Sequence, residues 1–140
     1  MKCYTQALPA GISLAVFNGD DLIFTSGAKW LHPLFALEEF LLTYNGERDM
    51  LSAHDTAAGK AAAILMARLG IKRAHINLVS DLAVEIYKDH GIALSYERRI
   101  DRLLCQTEAL LASMDDEEEI YLLLKERAQR AQERALSDQG

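Results

Sequence analysis

Cysteine is nearly missing from this sequence. Cys3 and Cys105 are the only two in 140 residues, too few for the disulfide framework of a small secreted scaffold, so reduced thiols in a cytoplasm are expected. The opening MKCYTQALPAG has no apolar h-region, and no signal peptide is expected there. Long apolar runs are also lacking. LFALEEFLL carries two glutamates and YLLLKERAQ turns polar at once, whereas a spanning helix needs ~20 apolar residues. Basic charge is short: 15 Lys and Arg stand against 21 Asp and Glu, a formal net charge of −6. That balance argues against non-specific binding to nucleic acid or to anionic membranes, both of which ask for a basic surface. Internal repeats, low-complexity tracts, and nucleophile-elbow, dinucleotide and EF-hand signatures are absent too.

Half of the residues are apolar and 26% charged, which supplies a sizeable core for one domain. ISLAVF (12–17), NGDD (18–21) and LIFTS (22–26) predict a β-hairpin, with Asn18-Gly19 providing the positive φ angles of a tight turn. A helix is expected over 31–44, with Pro33 in its first turn and Asn45-Gly46 at its end. MLSA (50–53) predicts a strand, Asp55 or Thr56 a cap, and 57–69 a helix closed by Gly70. A strand at 74–79, an N-cap at Ser80, a helix over 81–90 and a strand over 92–97 follow, and the pattern from 100 to 111 is helical. Ser113 and Asp116 have the spacing of a capping box for a last helix, acidic at its start and basic toward its end.

Strands alternating with helices after an opening hairpin imply an α/β fold: a mixed five-stranded sheet in a three-layer α/β/α sandwich. Residues 1–112 would form the domain, and 113–140 an amphipathic helix lying on it or on a partner subunit. Ile120, Leu123, Leu124, Ala128, Ala131 and Ala135 form the stripe that such a helix would bury.

Within this order, LIFTS, the run HDTAAGKAAAILMARLGIK that starts at His54, LVSDLAVEIYKDHGIALSYE (78–97) and, more loosely, CQTE (105–108) resemble a small prokaryotic family known as a domain of unknown function. That family is similar to the cytidine-deaminase-like fold. The most specific part is the Asp-x-x-x-Gly-Lys-Ala-Ala pattern, present as Asp55, Gly59, Lys60, Ala61 and Ala62, whereas Gln106 stands where the family has a proline. The resemblance implies a fold and no particular reaction.

Zinc-dependent deamination needs a His or Cys ligand with a nearby Glu at one helix start, and Pro-Cys-x-x-Cys at the next. AKWLHPLFA (28–36) offers His32 but has Leu34 in place of the glutamate, and HDTAAGK (54–60) offers His54 but no cysteine. No metal site, no cofactor and no deaminase activity are expected. HDTAAGK also reads as an anion seat, in which a helix N-terminus supplies free N–H groups, Gly59 admits a ligand and Lys60 adds charge. It is not a Walker loop, since the first glycine is missing and Ala follows the lysine. The plainer alternative has Asp55 as a cap, Gly59 packed on a strand and Lys60 in solvent. Ser26 and Lys29 at the other helix mouth, and Ser80, are placed to line the same crevice.

Three functions fit these residues. One is a non-enzymatic module binding a small anionic, phosphate- or nucleotide-like ligand through Ser26, Lys29, Asp55, Gly59, Lys60 and Ser80. Another is an enzyme using Cys105 as nucleophile or sulfur carrier, although its place beside Leu104 in a helical pattern suits a buried, inert thiol. The last is an assembly protein, a homodimer formed through the C-terminal helix.

Overall fold

The computed structural model describes residues 3–139, and side chains to residue 134. The hairpin is present as β1 (Leu14–Asn18) and β2 (Asp21–Ser26), paired antiparallel from Leu14↔Ser26 to Asn18↔Asp21. Its turn sits one residue later than expected. Asn18 is the last strand residue, and Gly19 alone of the two turn residues has a positive φ, at 61°. Glycine at the first turn position suits a two-residue hairpin loop. Asn18 is thereby free to donate from Nδ2 to the Tyr44 hydroxyl at 2.7 Å and to the Glu47 carbonyl at 2.8 Å.

The remaining elements are α1 (His32–Leu42), β3 (Leu51–Ala58), α2 (Lys60–Arg68), β4 (Arg73–Ser80), α3 (Asp81–Asp89), β5 (Ala93–Ile100), α4 (Gln106–Leu111) and α5 (Glu117–Gln139). The five strands lie in the order β2-β1-β3-β4-β5, with β1 antiparallel to both of its neighbours and β3, β4 and β5 parallel. The chain is therefore of the mixed, five-stranded α/β class that the sequence predicts, with an added C-terminal helix.

Strand order then dictates layering. Right-handed crossovers through α1, α2 and α3, each moving the chain in the same direction across the sheet, place all three helices on one face. Leu14, Val16, Leu51, Ala53, Ala74 and Ile76 point to that face and are fully buried against Leu37, Ile64 and their neighbours. The opposite face carries Ser52, His54 and His75. Helical chain flanks the sheet there as well, but among the described residues only as the single 3-10 turn Cys3–Thr5, which brings the buried Tyr4 close to Ser52 and Arg73.

The outermost layer is α5, lying over α2 and beside α1. Ile120, Leu124 and Ala128 are buried, and Leu123 is packed against the same core, so this part of the apolar stripe covers the domain itself. Ala131 is half-buried; the side chain of Ala135 lies outside the described residues. Tyr121 ties the layers together. Its ring lies under the Arg68 guanidinium, 3.7 Å from centroid to carbon, and its hydroxyl donates to Glu38 at 2.7 Å. The capping group of α5 is Asp116, which accepts from the backbone N–H groups of Glu118 and Glu119, in place of the expected Ser113. No helix among the described residues is long and apolar enough to cross a membrane.

Candidate functional site

The strand-to-helix turns on the helical face open onto a cleft of about 490 Å³. Its walls come from the segment before β1, the β2–α1 loop, the end of β3 with the start of α2, and the 101–108 segment. This is the crevice between the two helix entrances to which the sequence pointed.

β3 runs further than its apolar pattern suggested. Pairing with β4 continues through Ala57↔Leu78 and Ala58↔Val79, and the Thr56 N–H donates to the Ser13 carbonyl. Asp55 and Thr56 are therefore strand residues and do not cap α2. The sheet ladder wins because a side-chain cap satisfies one donor, while the ladder satisfies several. The N-cap is Gly59, which has no side chain to offer, and the cap comes from far along the chain. Glu108, only 2% exposed, accepts from the Lys60 N–H at 2.8 Å through one oxygen and from the Leu103 N–H at 3.1 Å through the other. A Cβ at position 59 would lie 2.8–3.0 Å from that carboxylate. Glycine at 59 thus makes room for Glu108, and the end of α2 expected to receive an external anion receives a carboxylate of the chain itself.

Lys60 is neither solvated nor in the cleft wall. Its aliphatic stem is buried and its Nζ donates to the Met114 carbonyl in the α4–α5 connection. Ser80 is buried at the start of α3, where its hydroxyl accepts from the Ala83 N–H at 3.2 Å, and it too is outside the cleft lining. Ser26, at the end of β2, accepts from the Ala28 N–H and shapes the loop that carries Lys29. Lys29, Asp55 and Gly59 do line the cleft.

So does Cys105, exposed at the N-cap of α4. The expected buried, mid-helix thiol gives way because β5 extends to Ile100 and the chain from 101 to 105 is irregular. The adjacent Leu104, whose apolarity suggested a helical core position, is fully exposed.

Residues outside the site expected from the sequence complete the walls. Trp30, the one tryptophan of the chain, has φ 58°, the left-handed region that a bulky side chain seldom adopts. Its indole N–H donates to Thr107 Oγ1 at 3.3 Å, bridging the β2–α1 loop to α4, and it remains 42% exposed. Strained backbone held by surrounding contacts is concentrated at ligand sites.

Asp55 is half-buried, and burial pushes its carboxyl from the ordinary 3.8 up to about 7, against the pull of the Thr56 and Ala57 backbone N–H groups. It belongs to none of the ion pairs among the described residues. The Tyr87 hydroxyl, bonded to Met66 Sδ at 3.2 Å, lies in the core beneath; burial foremost, then Asp55, raise its pKa well above 10.

The two histidines considered for zinc are held apart. His32 packs edge-on against Trp30, with centroids 5.3 Å apart. His54 points from β3 to the other face of the sheet, where Nε2 lies 2.8 Å from Asn77 Oδ1. No three His, Cys, Asp or Glu side chains among the described residues form a group that could hold a metal ion. The donors at the two helix entrances do not fit a catalytic zinc, which needs three protein ligands.

Fold and cleft together define an α/β domain with an open cleft at two helix entrances. The chain belongs to the family described as Domain of unknown function (DUF1893), whose model matches residues 7–128. Among solved structures it is similar to a DUF1893 family protein, TM1506, from Thermotoga maritima, with 27% identity, coverage of 82% of this chain and 80% of that one, and a TM-score of 0.69. It is also similar to the apo dCMP deaminase of the cyanophage S-TIM5, at 12% identity over 64% of this chain and 79% of that one, with a TM-score of 0.49. No curated protein matches.

Proposed function

We propose that this chain is a small-molecule-binding module that performs no covalent chemistry, its ligand lying in the cleft between the α1 and α2 entrances. The observation that carries the reading is the combination in one 490 Å³ cleft of a strained, partly exposed Trp30 and a carboxyl, Asp55, that pairs with no cationic side chain among the described residues. A concave, mostly apolar site with a few converging polar groups is the usual form of a ligand pocket. Cys105 shares the wall, but no base is bonded to its thiol among the described residues. Two free thiols and the absence of a disulfide among the described residues support a reducing, cytoplasmic setting.

A fragment library screened by thermal shift tests this. Hits are expected for the native chain and not for Ala57→Trp, which sets a large ring into the cleft from an exposed wall position. A library without hits, or hits that Ala57→Trp leaves unchanged, would remove the reading.

A further inference from the structure

We propose that the cleft takes an organic cation, a flat amidinium or ammonium group, with Asp55 as its counter-charge and Trp30 as its aromatic face; this rests on the binding reading above. The polar groups around the cleft sort by sign. The N-terminus of α2, its strongest anion seat, is filled by Glu108, whose two oxygens are engaged by the Lys60 and Leu103 N–H groups. The lysine that would have added positive charge, Lys60, is turned away to Met114. Lys29 stands exposed in the wall, where solvent and salt screen it. Of Lys29 and Asp55, which line the cleft with no ion pair among the described residues, only the carboxyl is partly withdrawn from solvent.

A carboxyl and an indole that line one cleft are suited to one ligand chemistry above others. Amidinium and guanidinium groups meet a carboxylate with paired N–H donors, and their planes, like alkylammonium groups, are drawn to the face of tryptophan. The Thr107 bond to the indole N–H fixes the Trp30 ring at the mouth in advance. Preorganisation of this kind lowers the entropy cost of binding.

Charge coupling follows from the burial of Asp55. Tyr87 from α3 interacts with it from below, and the other titratable side chains lining the cleft are Glu108 and Cys105 from the 105–108 wall and Lys29 from the β2–α1 loop. Tyr87 is held neutral. A carboxyl that titrates near pH 7 is partly protonated in the empty cleft. A cation binds its ionised form, so affinity rises with pH through neutrality and binding releases a proton.

The probes are benzamidine, benzamide and benzoate, of nearly one shape and of charge +1, 0 and −1. The single indole N–H cross-peak of Trp30 reports binding in the full chain. At pH 8, benzamidine is expected to bind at least about tenfold more tightly than benzamide or benzoate, a ratio equivalent to ~1.4 kcal/mol. That preference should shrink toward unity in Asp55→Asn, and the benzamidine affinity of the native chain should fall severalfold from pH 8 to pH 6. Benzoate binding as well as or better than benzamidine overturns the cation assignment while leaving a binding cleft. Asp55→Asn retaining the preference overturns the role of Asp55. If none of the three probes moves the indole peak, the inference falls, and the fragment screen decides separately whether the cleft binds anything.

Discussion

His54 and Asp55 are consecutive residues of β3, yet they serve opposite faces of the sheet. His54, 1% exposed, joins a buried polar cluster. Nε2 meets Asn77, the ring lies edge-on to His75 at 4.8 Å, and His75 Nδ1 meets Ser95 Oγ at 2.7 Å. All of these partners come from β4 and β5, brought alongside by the parallel register His54↔His75↔Ser95. Asp55 has, among the described residues, only the backbone N–H groups of the next two residues as hydrogen-bond donors, and it borders an open cleft. Buried polar groups are normally satisfied by their surroundings. The histidine side follows that rule with one exception among the described residues, His54 Nδ1, which has no partner there. The aspartate side meets the rule through backbone N–H groups alone, with the cleft on its open side. The same strand therefore contributes a structural polar cluster on one face and, on the other, a carboxyl with no ion pair among the described residues.

The comparison can be broken by mutating the two neighbours. His54→Ala removes a buried ring, leaves a void beside His75 and strands Asn77 Oδ1. The expected loss is about 2–4 kcal/mol of unfolding free energy in urea denaturation. Asp55→Asn keeps shape and an acceptor while deleting the buried charge, and its effect has the opposite sign. A carboxyl at about 7 in the folded chain and near 3.8 when unfolded costs stability above pH 7. That cost disappears below about pH 4, where both states are protonated. Asp55→Asn is thus expected to be more stable than the native chain by about 1–3 kcal/mol at pH 8, less than the full shift implies because the cleft wets the carboxyl. The two curves should converge as pH falls to 4. A destabilised Asp55→Asn at pH 8 would show that Asp55 belongs with His54 as a structural group.

What the sequence reveals of this arrangement is uneven for physical reasons. Element order and the crevice were legible because they follow from local signals: Gly19 at the hairpin, Pro33 in the first turn of α1, Ser80 capping α3, and strand–helix alternation. The end of β3 was not, since Asp55 and Thr56 suit a helix cap as well as a strand, and only the pairing with β4 decides between them. Glu108 was illegible as a cap because its partner, Lys60, is 48 residues away. Gly59 did mark a close approach, but of a side chain from the same protein and not of a ligand. Trp30 could be read as an aromatic, while its left-handed backbone depends on Thr107 and on the loop around it.

The smallest expected effect sharpens the histidine side. Burial, and His54 alongside, hold the pKa of His75 below its ordinary 6.5, with Glu97 pulling weakly the other way. A histidine kept neutral on folding binds fewer protons in the native than in the unfolded state. Its contribution to stability is therefore intact above pH 6.5 and is lost as pH falls from there toward the folded pKa. In the native chain Asp55 works against this slope, because its protonation between pH 7 and 4 returns stability over an overlapping range. The measurement consequently belongs in the Asp55→Asn background, where that opposing slope is gone. There, unfolding free energy should decline with acid below pH 6.5 by less than the Asp55→Asn gain at pH 8. His75→Gln, which retains a polar side chain near Ser95, should flatten the decline. A decline that persists in His75→Gln would place the acid sensitivity elsewhere and leave the histidine pair with a packing role alone.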